Sequence, residues 1–182
     1  DHFQYFSGRL RSLEHYFDLY RIDHTQGFFN QFLIEKGETP SDGKNEIKDE
    51  QTSLQAGKRR LTAVSHLSSM LPTAEDLRFD GKQKQVIESL GIPGVNVFVW
   101  MNRKLPLKKQ LISGRDFNLM TITKLSNHDL PPFRSWWQEN LKRSKALASL
   151  MGWKYYKQPT QKQQTQLLFD QMHSNSLLHI EF

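Results

Sequence analysis

Residues Leu19–Gly27 read LYRIDHTQG. An apolar run breaks off there into Arg21, Asp23 and His24, with Gly27 just behind. A buried strand can stop in a turn. It seldom stops in a guanidinium, a carboxylate and an imidazole unless they face a site. Arg21 and Asp23 are two residues apart, so on a strand they share one face. The stretch predicts a strand whose carboxyl end carries chemistry.

Upstream, GRLRSLEHYFDLY spaces Leu10, Leu13 and Phe17 as a short amphipathic helix. Downstream, GFFNQFLIEKG is apolar and aromatic. Residues 38–57, ETPSDGKNEIKDEQTSLQAG, are polar and rich in turn formers, which predicts a surface loop or insertion. KRRLTAVSHLSSML sets Leu61, Val64, Leu67 and Leu71 on one helical face and runs into LPTAED, a strand end punctuated by Pro72. GKQKQVIESLG is a helix closed by Gly91. IPGVNVFVW is strongly β, with Val95, Val97, Phe98, Val99 and Trp100 after a Pro-Gly turn. RKLPLKKQLISGRDFN reads as a connection and LMTITKLSNHD as a strand. PPFRSWWQENLKRSKALASLMG and TQKQQTQLLFDQMHS are helices, and SLLHIEF is a final strand. About five strands alternating with helices indicate parallel βαβ units in one α/β domain. A closed (β/α)8 barrel needs eight strands and roughly 250 residues, so the pattern fits an open sheet or a piece of a larger barrel.

The chain has 182 residues, 37% hydrophobic and 24% charged, a globular profile. It has no cysteine, hence no disulfide framework and no thiolate metal site, which fits a cytoplasmic location. No apolar run reaches the roughly 18 residues of a membrane span, and the start lacks the pattern of a signal peptide. The formal charge is +6. Its basic residues fall in short separate groups, at Gly57–Arg60, near Lys108 and near Lys142. They read as solvated faces and not as a nucleic-acid stripe interleaved with stacking aromatics; a steep salt dependence of DNA binding would be the sign of the contrary.

Three carboxylates stand where apolar runs give way to loops: Asp23, Glu75 and Asp129. In a parallel α/β fold the carboxyl ends of the strands lie on one side, so the three are expected to converge. Such a set suits acetal chemistry, in which an acid protonates the leaving oxygen and an anion captures the oxocarbenium-like centre. Arg21 would hold Asp23 ionised as a nucleophile. Singly, each carboxylate also fits a cap or turn residue, Arg21 with Asp23 a structural ion pair, and His24 and His128 rim residues. The repetition at three strand ends favours a site. There is no HExxH, no full EF-hand loop, no Gly-rich phosphate loop and no serine elbow, so neither a metal nor an organic cofactor is expected.

YRIDHTQGFF, MLPTAEDL and LSNHDLPPFRSWW resemble the 4-α-glucanotransferases called amylomaltases or disproportionating enzymes, glycoside hydrolase family 77. The connecting GKRRLTAVSHLSSMLP, SLGIPGVNVFVW and MHSNSLLHIEF match as well, so the resemblance covers nearly the whole chain. It implies a (β/α)8 TIM barrel of which residues 1–182 are the C-terminal portion, about strands four to eight. VNVFVW would be strand six and SLLHIEF strand eight. The resemblance makes Asp23, ending strand four, the nucleophile; Glu75, ending strand five, the general acid/base; and Asp129, near the end of strand seven, the third carboxylate. It has Arg21 orient the nucleophile, His24 lie beside it, and His128 contact the sugar.

Three departures stand out. Arg78 replaces a Gly that follows EDL in many relatives, SNHD replaces STHD, and the strand-three motif of an Asp followed by Asn-His is missing. The activity implied is transfer of α-1,4-glucan segments to a glucan or glucose acceptor by retaining double displacement. Trp136 is the candidate for stacking on substrate, whereas Trp137 and Trp100 read as core. An amylase-like hydrolase and a catalytically inactive glucan-binding fragment are the alternatives.

Overall fold

A computed structural model describes residues 3–76, 81–104 and 113–180. The chain forms two compact units, Asp1–Gly94 and Val95–Phe182, each described here by itself. Arg78, and residues 105–112 of the connection 103–118, lie outside the described residues.

The first unit runs α1 (Gln4–Leu13), β1 (Leu19–Ile22), α2 (Gln26–Phe29), β2 (Phe32–Leu33), β3 (Lys44–Asn45), α3 (Glu50–Ser65), β4 (Leu71–Ala74) and α4 (Gly81–Ser89). β1 and β4 pair in parallel, with Arg21 opposite Thr73 and Ile22 opposite Ala74. Alternation along the strands then sorts the side chains. Tyr20, Ile22 and Ala74 turn to the core with Phe29, Leu61, Ile87 and Ile92, while Arg21 and Thr73 turn to the other face. Fully burying a side chain such as Leu61 or Ile87 stabilises the fold by about 1.5–3 kcal/mol, and both are buried. Tyr20 donates its hydroxyl to Val64 O over 3.4 Å. Burial pushes that phenol up to about 12, so it stays a neutral donor. Gly91 closes α4 at φ +68°, the left-handed conformation expected of a C-terminal glycine.

The second unit takes β5 (Gly94–Val97), which begins at the last residue of the first, then α5 (Phe98–Lys104), a 3-10 turn (Gly114–Asp116), β6 (Thr121–Lys124), α6 (Phe133–Glu139), α7 (Leu141–Leu150), α8 (Gln161–Met172) and β7 (Leu178–His179). Its sheet has the order β5-β6-β7, and β6 and β7 are parallel, with Ile122 opposite Leu178. The core is aromatic. Phe133 stacks on Trp136 at 5.7 Å, Trp136 meets Phe98 edge-on, and Trp137 stacks on Tyr155. Two of its buried polar side chains are paired: Asn96 Nδ2 donates to Thr121 Oγ1, and Trp137 Nε1 to Tyr156 O.

The α/β class, with parallel strand pairs and intervening helices, is as expected. Several boundaries differ. The last eight residues of the polar run 38–57 are the first two turns of α3, because Asp49 caps it by accepting from Thr52 N–H, and Lys44–Asn45 pairs with Phe32–Leu33 as a hairpin. α1 ends at Leu13, leaving Phe17 outside it and exposed. The β run through Trp100 stops at Val97, and Phe98 onward is helix. Both conformations bury this apolar run, so periodicity alone does not separate them. Leu71 lies in β4, not on α3's face. The long helix after Pro132 breaks at Asn140, whose side chain donates back to Trp136 O.

Candidate active site

Asp23 and Glu75 are the residues that follow β1 and β4. They continue the register in which Arg21 faces Thr73, and Glu75 N–H donates to Ile22 O at 3.0 Å. Both acids therefore leave the parallel pair on the face opposite the apolar core. Arg21 lies between them. Its Nη2 is 2.7 Å from Asp23 Oδ1 and 3.6 Å from Glu75 Oε2. Those two oxygens can be no further apart than the sum of these distances, so two carboxylates from neighbouring strand ends share one guanidinium. Asp23 is 76% exposed and Glu75 21% exposed, so a ligand reaches the first more freely than the second.

His24 contributes through its backbone. Its N–H donates to Glu75 Oε2 at 2.7 Å, and its φ of +44° lies in the left-handed region that a non-glycine residue seldom adopts. The chain turns sharply after Asp23, and the turn aims this amide across at the neighbouring strand. Thr25 secures it from behind, its hydroxyl donating to Ile22 O. Glu75 Oε2 is thus held by an amide hydrogen bond and faces a guanidinium.

Asp76 was not singled out in the sequence, although the ED doublet carries the signal: successive strand residues point to opposite faces. Asp76 turns inward, its side chain 3% exposed and 3.6 Å from Lys84 Nζ. Its carboxylate lies over Gly94, where any Cβ would come within 2.3 Å of Oδ2. The acid/base candidate is therefore followed at once by a residue wedged against the next strand.

In the second unit, His128 and Asp129 follow β6. His128 Nε2 is 3.4 Å from Asp129 Oδ1, and both side chains are mostly exposed. Asp129 N–H donates to Asn127 Oδ1. Trp136 requires a correction. It is fully buried between Phe133 and Phe98, and its Nε1 has no hydrogen-bond partner among the described residues. Its faces belong to the core and offer a sugar nothing. Trp137 is likewise fully buried. Among the described residues no group of three His, Asp or Glu is placed to hold a metal ion, and no helix is long and apolar enough to cross a membrane.

A family model described as 4-alpha-glucanotransferase matches residues 1–181. The chain belongs to this family. It is similar to the 4-alpha-glucanotransferase of Chlamydia pneumoniae, with 29% identity over 185 residues covering 99% of this chain and 34% of that protein. It is also similar to that of Chlamydia muridarum, at 31% over 156 residues, 85% of this chain and 29% of that protein. Among solved structures, the amylomaltase from Streptococcus agalactiae in complex with acarbose matches with TM-score 0.69 and 20% identity, over 98% of this chain and 34% of that one. The amylomaltase from Corynebacterium glutamicum matches with TM-score 0.65 and 16% identity, over 97% and 30%. This family member spans 34% or less of each of these relatives.

Proposed function

We propose that these residues are the part of a 4-α-glucanotransferase that carries its reacting groups, corresponding to about strands four to eight of a (β/α)8 barrel. The observation that carries the reading is Arg21, one guanidinium facing two carboxylates at the ends of two parallel strands. Asp23 attacks the anomeric carbon of an α-1,4-glucan while Glu75 protonates the departing oxygen. The bond to the leaving chain breaks as the bond to Asp23 forms. Glu75, now a carboxylate, takes the proton from the 4-hydroxyl of an acceptor, which displaces Asp23 and restores the configuration. Arg21 keeps Asp23 oriented, and the His24 amide fixes where Glu75 stands. Asp129 grips sugar hydroxyls, with His128 beside it. The names of the relatives support α-glucans as substrate, and a cytoplasmic place of action belongs to the same reading.

Incubating the full-length protein with maltotriose tests this. Transfer yields glucose together with glucans longer than the starting sugar; hydrolysis yields shorter sugars only. Asp23→Asn should abolish the longer products, and retention of full turnover in that variant would refute the assignment.

A further inference from the structure

Between α2 and α3 the chain makes a hairpin, β2 with β3, on the loop that leaves the carboxyl end of β1. In parallel α/β folds, loops of this kind build the substrate-binding face. The hairpin is built as a firm arm. The Asn30 side chain brackets Ile47, donating to its carbonyl at 2.6 Å and accepting from its N–H at 3.0 Å. Glu46 N–H donates to Gln31 O, and Arg60 ties Glu46 and Phe28 O to α3. At the tip, Asp42 accepts from the N–H and hydroxyl of Thr39. Yet the arm exposes apolar surface: Phe32 is 56% and Ile34 45% exposed.

Register and alternation place Phe32, Ile34 and Asn45 on one face, since Phe32 is directly opposite Asn45. The Phe32 ring rests against Gly43, where an added Cβ would come within 2.3 Å of its Cε1 and 3.0 Å of Ile34 Cγ1. A glycine at this point lets the ring settle on the backbone of the opposite strand while its outer surface stays in water. An aromatic ring propped on backbone, with an aliphatic neighbour and a side-chain amide beside it, suits a pyranose. The ring takes the sugar's C–H face and the amide its hydroxyls.

We infer that Phe32, backed by Gly43 and flanked by Ile34 and Asn45, is an outer binding platform for α-1,4-glucans longer than those held at Arg21, Asp23 and Glu75. The inference rests on the glucanotransferase reading above. Its occupant is a glucan because the arm belongs to the loop that leaves the same strand end as the proposed nucleophile, and loops of that kind are the ones that hold substrate in parallel α/β folds.

The test is calorimetric binding of maltotriose and maltoheptaose to the full-length protein in a Glu75→Gln background, which stops turnover. Phe32→Leu keeps an apolar residue and removes the ring. It is expected to weaken maltoheptaose about tenfold more than maltotriose, a shift of about 1.4 kcal/mol. Phe32→Trp should restore the length dependence. Gly43→Ala, which pushes the ring off its seat, should lower it. Equal losses for both sugars, or none, would overturn the platform while leaving the reading of the site intact. A change of oligomeric state in Phe32→Leu, seen by sedimentation, would overturn it in favour of contact with a second copy. Absence of maltoheptaose binding in the parent would instead remove the glucan reading itself.

Discussion

Two carboxylates at neighbouring strand ends repel each other, and the cation between them decides whether both can stay in place. Arg21 does so with one nitrogen 2.7 Å from Asp23 and 3.6 Å from Glu75. Lysine carries the charge without the planar fork. Arg21→Ala is therefore expected to cut kcat for maltotriose on the order of a hundredfold, with Arg21→Lys recovering only part of it. Equal activity of the lysine variant and the parent in steady-state assays would show that charge alone suffices. His24 makes a second case at this scale. Its amide reaches Glu75 because its φ is positive, so the backbone conformation at His24 matters to the proposed acid/base residue as well as its imidazole. His24→Val forces a β-branched residue into that conformation and should cost about 1–2 kcal/mol more than His24→Gly, read from denaturation midpoints. Much of this was legible in LYRIDHTQG and AEDL: residue types and period two set Arg21 and Asp23 on one face. The bend at His24 was not, because a positive φ in a non-glycine residue is imposed by the tertiary fold and leaves no mark on composition.

At the scale of elements, α3 begins where the sequence reads as loop. Asp49 starts it by accepting from the N–H and hydroxyl of Thr52, bonds that hold its carboxyl below the ordinary 3.8. A carboxylate lowered on folding stabilises above its unfolded pKa, and that contribution fades as pH falls through the folded value. Asp49→Ala should thus lower the thermal midpoint at neutral pH, and the gap from the parent should close as pH falls below 3.8, as followed by circular dichroism. A constant gap would mean that the cap acts through something other than charge. The sequence hid this start because Asp49, Glu50 and Thr52 look the same in a loop as at a helix N-terminus, and only the bond to Thr52 distinguishes them. The end of β5 was misread for a different reason. Val97, Phe98 and Val99 are all fully buried, so strand and helix present the same apolar run. The step from β4 to β5 depends on Gly94, whose missing Cβ makes room for the Asp76 carboxylate. Gly94→Ala should destabilise by about 1–3 kcal/mol in urea unfolding. A neutral result would show that Asp76 swings clear at little cost.

Across the molecule, family and fold class were readable because the motifs around Asp23, Glu75 and Asp129 occur in order along nearly the entire chain, and the family model matches residues 1–181. Trp136 was misplaced because an aromatic next to a candidate site looks alike whether it faces substrate or core; packing against Phe98 and Phe133 settles it. The proposed function goes further than family membership, since it requires that Asp23 become covalently bonded to sugar. A Glu75→Gln full-length protein given α-maltosyl fluoride needs no acid to expel fluoride, and it lacks the base for the second step. Digestion and mass spectrometry should then find one added maltosyl group on the peptide containing Asp23. A label on any other residue, or a protein that consumes the fluoride at the parent rate with no label, would contradict the account.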